Sequence, residues 1–215
     1  MTCAICQTRK PRRFCPGVRG DICTVCCGTE REVTVNCPLD CEYLRDARQH
    51  ERLLPLSAKD FPSKDIEVTE SFLQKNEEML VALGQRIVMV ALDTPGAVDS
   101  DVREALEALV RTYRTLQSGV YYETRPANPL AARIYDAVQE ASAEYRKRET
   151  ESLGMPKTRD SDVLGLLVFF QRLAWDRNNG RPKGRTFIDM VRAFYFNAGA
   201  GAGPAAPVSS SLILP

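Results

Sequence analysis

Eight cysteines, all within the first 41 positions of a 215-residue chain, are the residues whose type and spacing could do chemistry. Their order is Cys3-x2-Cys6-x8-Cys15-x7-Cys23-x2-Cys26-Cys27-x9-Cys37-x3-Cys41. A CxxC pair on a tight turn directs two sulfurs at one point, which is half of a tetrahedral zinc site, and a second pair completes it. Eight thiolates divide into two four-ligand sites with none left over. The sequence therefore predicts that all eight are metal ligands and that two zinc ions bind.

The spacing fixes the grouping of these cysteines only in part. Cys3 and Cys6 pair with Cys23 and with either Cys26 or Cys27, and the other four cysteines form the second site. Such interleaving makes a cross-brace, which stabilises a segment too short to build its own core. Disulfides, an iron–sulfur cluster and a catalytic or redox zinc are the alternatives. An all-cysteine set, however, leaves no open position for a substrate.

The segment that begins at Cys37, "CPLDCEYLRDARQHERLL", predicts a helix that closes the module. Cys37 is its expected N-cap and Pro38 its first-turn proline. Cys37 and Cys41 would then face the same way at a helix N-terminus, where the partial positive charge favours thiolate over thiol. His50, the one histidine of the chain, follows in this helix and is an alternative ligand in place of one cysteine.

The run of CxxC, a single cysteine, CxxCC and CxxxC resembles the two-zinc cross-brace fingers of the MYND and HIT type over residues 3–41. Those fingers usually have CxxC as the second pair, whereas Cys15 is followed by Pro16, Gly17 and Val18. They also usually carry a histidine near the end, where this chain has Cys37. The resemblance implies a protein-interaction finger, because such fingers most often bind partner proteins.

Composition places the chain among ordinary globular proteins. Hydrophobic residues make up 44%, charged residues 27%, and the formal net charge is +1, so no global field indicates nucleic acid or a membrane. The N-terminus has no apolar run typical of a secretory signal, and no segment has the length of a membrane span. We therefore expect a cytoplasmic protein, and in a reducing compartment clustered cysteines indicate metal rather than disulfides.

Beyond the cysteines the pattern is helical. Apolar residues recur with a period near 3.6 over 71–92, 101–118, 128–145, 161–177 and 186–196. The third of these begins with Asn128 as cap and Pro129 in the first position. The predicted fold is mainly α: a small Cys-rich zinc finger (1–54), a linker (55–70), a bundle of four or five helices (71–198) and a disordered tail (199–215). The apolar "LILP" at the end of the tail is a possible docking peptide.

A basic loop, "NNGRPKGR", precedes the last helix and predicts a site for an anion or an acidic partner. Its expected binding residues are Arg177, Arg181, Lys183 and Arg185. No catalytic residues are predicted, because the chain has no phosphate loop, HExxH or GxSxG motif. The sequence favours a zinc-binding, non-enzymatic protein-interaction adaptor. The alternative is a nucleic-acid or ribosome-associated binding protein that uses the basic segments 9–13 and 177–192.

Overall fold

A computed structural model describes residues 2–55, 61–119 and 122–196, and over these ranges the chain forms eight α-helices and one antiparallel pair of strands. The elements are β1 Arg13–Cys15, β2 Gly20–Ile22, α1 Thr24–Glu30, α2 Glu42–Arg48, α3 Glu70–Lys75, α4 Glu77–Asp93, α5 Asp99–Gln117, α6 Pro129–Leu153, α7 Asp160–Asp176 and α8 Thr186–Phe196. The mainly α fold is confirmed. The predicted tail, with its LILP peptide, lies outside the described residues.

The helices α3 to α8, called the bundle below, outnumber the four or five predicted for this part of the chain. The extra helix arises because the helix predicted from Ser71 is divided at Asn76. Thr69 caps α3 by accepting a hydrogen bond from the backbone N–H of Phe72, at 3.1 Å. The Asn76 side chain then donates to the carbonyl of Phe72, at 2.9 Å, and so competes with the backbone for a helical acceptor.

Helix α7 lies at the centre of the bundle, as its apolar sequence predicts. Every residue from Val163 to Arg172 is buried, and a helix that is apolar on all sides is a core helix. Helix α5 packs against α7 and α6, while α4 packs against α6 and α8. No helix among the described residues combines the length and the apolar composition needed to cross a membrane.

The described part of the predicted linker, 61–68, packs on the bundle through one arginine. Arg172 of α7 is fully buried and donates to the carbonyl oxygens of Ser63, at 2.8 Å, and Ile66, at 2.6 Å. Its guanidinium also lies 4.9 Å from the centre of the Phe61 ring. Val68 is fully buried in the core that follows. This segment is therefore part of the bundle's packing and not a free connection.

Asp99 joins the start of α5 to the start of α8. Its carboxylate is only 3% exposed and accepts the backbone N–H groups of Phe187, at 2.9 Å, and Ile188, at 3.1 Å. Burial raises the pKa of Asp99 to about 7, although these two N–H groups and the nearby Arg103 lower it and Glu32 raises it further. The carboxyl group thus keeps its proton to a higher pH in the folded protein than in the unfolded chain.

We expect Asp99 to make the bundle less stable as the pH rises from about 4 to about 7. Its folded-state pKa is above the ordinary value, so its stabilising contribution is complete below about pH 4 and is lost as the pH passes the folded-state pKa. From pH 5 to 8 the free energy of unfolding of the wild type should fall by roughly 2 kcal/mol relative to Asp99→Asn. Urea unfolding followed by the fluorescence of Trp175 measures this difference. The exposed Asp93→Asn is the control, and parallel pH profiles for Asp99→Asn and the wild type would contradict the expectation.

Candidate metal centre

Two turns bring the two CxxC pairs of the N-terminal module (residues 2–50) together. In the first, the backbone N–H of Gln7 donates to the carbonyl of Cys3 at 2.8 Å, and Gln7 has a positive φ of 56°. In the second, Cys23 is the N-cap of α1 and its sulfur accepts the backbone N–H of Cys26, at 3.4 Å. The sulfur of Cys3 in turn accepts the N–H of Cys23, at 3.2 Å. Local turn geometry therefore aims both pairs at one point.

The first cysteine group, Cys3, Cys6, Cys23 and Cys26, has the geometry of a metal site. Its four sulfurs lie within 4.8 Å of one another. A tetrahedral zinc–thiolate centre with bonds of about 2.3 Å places its sulfurs about 3.8 Å apart, so small movements suffice. Cys3, Cys23 and Cys26 are buried, and Cys6 is half-buried. These four side chains could hold a metal ion.

The first cysteine group also has electrostatics that suit a cation. Burial, followed by the neighbouring Cys23, Cys6 and Cys3 side chains, raises the pKa of Cys26 to about 12. Hydrogen bonds from Thr8 and from the backbone of Arg9 lower the pKa of Cys6 to about 5. The four thiols therefore do not ionise alike: the pKa of Cys6 is lowered, whereas the neighbouring sulfurs and burial oppose ionisation of Cys26. A bound metal cation removes that opposition.

The sequence spacing allows either Cys26 or Cys27 in the first group, and the geometry of α1 determines that it is Cys26. Successive residues of a helix point about 100° apart, so the two sulfurs cannot face the same point. Cys26 faces the first group, whereas the sulfur of Cys27 faces Arg13 and Arg31, each with a guanidinium nitrogen 3.9 Å away. Cys27 belongs with the other cysteines.

The second cysteine group, Cys15, Cys27, Cys37 and Cys41, lines one small recess of about 20 Å³. Cys15 reaches it from β1, where Pro16 and Gly17 turn the chain into β2. Burial, with the charges of Glu32, Cys15 and Cys41, raises the pKa of Cys37, and the backbone N–H of Glu32 lowers it. All eight thiols are free of disulfides. Within the described residues, four ligand atoms within 4.8 Å of one another are found in the first group and not in the second.

The helix predicted to start at Cys37 starts later. Helix α2 begins at Glu42, with Cys41 in an extended conformation as its N-cap, so Cys37 is not on a helix. The reason is tertiary: the Leu39 side chain is only 4% exposed and packs in the core of the bundle. The backbone N–H of Cys41 closes a turn onto the carbonyl of Pro38, at 3.1 Å. His50 is exposed beyond the end of α2 and lines neither cysteine group.

The basic loop before α8 contacts the N-terminal module. The Arg181 guanidinium donates to the carbonyl of Arg31, and the Lys183 ammonium donates to that of Thr34. Arg185 contributes its backbone N–H to the carboxylate of Glu32, at 3.1 Å. Arg177 lies apart from these contacts and pairs with its neighbour Asp176, at 3.4 Å. Three of the four predicted anion-binding residues therefore touch the module.

Sequence reasoning missed Glu32, the residue at the middle of this contact. Its side chain is fully buried and accepts from Arg48 of α2, at 2.9 Å, and from the Asn179 amide, at 3.1 Å. The backbone N–H of Lys183 donates to its carbonyl, at 2.8 Å. A buried carboxylate requires such partners. No pattern in the sequence distinguishes Glu32 from a solvated glutamate, since its partners lie far along the chain.

A groove of about 480 Å³ lies on the bundle between α4 and α6. Charged side chains on its wall are held in ion pairs: Arg86 with Glu140, at 3.1 Å, and Arg125 with Asp136, at 2.5 Å. The groove is open and its charges largely offset one another.

The chain matches no protein-family model, no curated protein and no solved structure.

Proposed function

We propose that this chain is a zinc-binding, non-enzymatic protein-interaction adaptor, in which a two-zinc finger of the MYND or HIT type is mounted on a helical bundle. The observation that carries the proposal is the convergence of the sulfurs of Cys3, Cys6, Cys23 and Cys26. Four thiolates in tetrahedral reach favour zinc over harder cations, and a closed four-ligand set is typical of structural sites. Free thiols agree with a reducing compartment such as the cytoplasm.

The second cysteine group is assigned a second zinc. Two observations support it: the four cysteines line one recess, and two arginines donate to the sulfur of Cys27. A zinc with four thiolates carries a net charge near −2, which Arg13 and Arg31 offset. The two groups alternate along the chain, so two zinc ions would form the cross-brace.

A binding role is favoured by what the module exposes. Phe14 in the middle of β1 is 60% exposed and Val25 on α1 is 48% exposed, and each is next to a cysteine in the sequence. Exposed aromatic and aliphatic side chains on a rigid scaffold suit a protein partner. An all-cysteine shell also leaves zinc no open position for a substrate. A nucleic-acid surface is less well supported: Arg13, Arg181 and Lys183 contact other parts of this chain, and Arg9, Lys10 and Arg12 are the exposed basic residues of segment 9–13.

The metal part of the proposal is tested by elemental mass spectrometry of the untagged protein together with a thiol count in denaturant. We expect about two zinc ions per chain and eight titratable thiols. One zinc ion would remove the second site, and none would overturn the proposal.

The adaptor part is tested with a photo-crosslinking amino acid at Phe14 in the producing cells. We expect a discrete protein adduct that disappears when Cys6→Ser removes a ligand of the first group. The same crosslinker at Leu153, which is 61% exposed at the end of α6, is the matched control. Adducts to nucleic acid, or the same adducts from both positions, would contradict a protein-binding module.

A further inference from the structure

The segment of residues 28–36, which is the end of α1 and the turn after it and is called the 28–36 loop below, connects the second cysteine group to the bundle. It runs from Cys27 to Cys37, and Glu32 lies midway between these two cysteines. Its carboxylate is buried against Arg48 and the Asn179–Arg185 loop, with acceptor distances of 2.9 to 3.1 Å. The ends of the loop are thus at the sulfurs, and its middle is bound by the bundle.

Single residues of this loop contact both sides at once. The Arg31 side chain donates to the sulfur of Cys27, while its carbonyl accepts from Arg181. The backbone N–H of Glu32 hydrogen-bonds to Cys37, while its carbonyl accepts the N–H of Lys183, at 2.8 Å. A change in the positions of these sulfurs is therefore transmitted directly to the groups that the bundle binds.

The loop contains one residue with an unfavourable backbone angle. Glu32 has a positive φ of 52°, which disfavours any residue with a side chain. The carbonyl of Glu30 accepts three consecutive N–H groups, from residues 33 to 35, at 3.1 to 3.2 Å. Gly17 of the hairpin approaches the carbonyl of Asn36 so closely that a Cβ would collide with it. The turn is thus closed by local hydrogen bonds to Glu30, carries one disfavoured φ at Glu32, and packs its far end against the hairpin of the module.

We propose that zinc at the second cysteine group holds the 28–36 loop in the shape that the bundle binds, so that occupancy of this site controls docking of the module on the bundle. The inference rests on the proposed second zinc. Without the ion, no bond links the four thiols to one another, and the loop regains the conformational freedom that closing its ends removes. Glu32 then leaves Arg48 and Asn179, and the basic loop before α8 becomes exposed. The interface thus responds to zinc.

Hydrogen exchange of single backbone amides in the full chain, followed by NMR, measures directly whether the module is docked on the bundle. The N–H groups of Lys183 and Arg185 donate to Glu32 of the module and are the reporters. Those of Phe187 and Ile188 donate to Asp99 within the bundle and are internal controls. Both pairs lie within six residues of one another, so general effects on the start of α8 act on both.

We expect Cys37→Ser to bind one zinc ion fewer than the wild type and to speed exchange of Lys183 and Arg185 by about tenfold or more. Phe187 and Ile188 should change by less than about twofold. Glu32→Ala should speed exchange of Arg185, whose N–H donates to the lost carboxylate, while it keeps both zinc ions, because it removes this contact without touching a ligand.

Each other outcome overturns the inference and identifies its cause. If Cys37→Ser loses a zinc ion and the reporters stay slow, the second site exists but does not control docking. If the wild type and Cys37→Ser bind the same amount of zinc, the second site fails, and the inference fails with it. If the reporter and control amides all exchange faster, α8 itself has opened. The effect is then not specific to docking, and the inference is overturned.

Discussion

Serine in place of Cys26 is expected to unfold the N-terminal module, residues 2–50, while helices α4 to α8 keep their structure. The buried cluster that belongs to the module alone is very small, namely Cys3, Ile22, Cys23 and Cys26. Three of its four members are proposed ligands, so metal binding and folding are one process. In zinc-finger peptides that binding free energy is about 10 to 16 kcal/mol, far more than such a cluster provides by burial.

Two-dimensional NMR of the full chain checks this expectation, with zinc content measured on the same sample. Amides of the module should lose their dispersion in Cys26→Ser, and amides of α5 and α7 should not shift. Val25→Ser, at the neighbouring exposed position of α1, is the matched control and should keep both zinc and dispersion. A module that stays dispersed after it loses zinc would show that packing, with Leu39 on the bundle, is sufficient to fold it.

Methionine in place of Arg172 is expected to lower the free energy of unfolding of the bundle by about 3 kcal/mol. The substitution nearly preserves volume, so the loss is in hydrogen bonds. The carbonyl oxygens of Ser63 and Ile66 would lose a charged donor in a buried place, where an unpartnered acceptor costs about 1 to 3 kcal/mol. The cost of burying the charge itself, which also lowers the pKa of Arg172, partly offsets this loss.

Urea unfolding followed by Trp175 fluorescence measures the effect of Arg172→Met. Arg111→Met is the control, since Arg111 is exposed on α5 and pairs with Glu107 one turn away; we expect a change below about 0.5 kcal/mol there. Hydrogen exchange should also rise in residues 61–68. An unchanged free energy of unfolding would mean that water replaces the guanidinium on these carbonyls.

Much of the bundle could be predicted because the signals that start, continue and end a helix lie within a few residues of each other in the sequence. The predicted helices at 101–118, 161–177 and 186–196 differ from α5, α7 and α8 by no more than two residues at either end. The start of α6 is confirmed, since Asn128 caps it by accepting the N–H of Leu130 at 3.0 Å. Apolar period, caps and prolines act within a few residues, so the sequence carries these signals openly.

Two predictions of helix boundaries were wrong. In one a distant tertiary contact, and in the other a side-chain hydrogen bond, changed the backbone conformation. The closing helix begins at Glu42 and not at Cys37, because burial of Leu39 in the bundle holds the preceding residues in a turn. The helix from Ser71 is divided at Asn76, where the side-chain amide competes with the backbone N–H for the carbonyl of Phe72. The first cause depends on residues far along the chain, and the second depends on the rotamer of one amide.

By itself the sequence determined that the cysteines are metal ligand candidates, that they are confined to one small module, and that helices follow. Only the tertiary structure decided that Cys26 joins Cys3, Cys6 and Cys23, because the direction of a sulfur depends on where α1 begins. It also decided that Glu32 is buried against the basic loop before α8. Local sequence patterns report on residues that are close together in the sequence. The contact of Glu32 with Arg185 joins residues about 150 positions apart, so it is visible only in the folded structure.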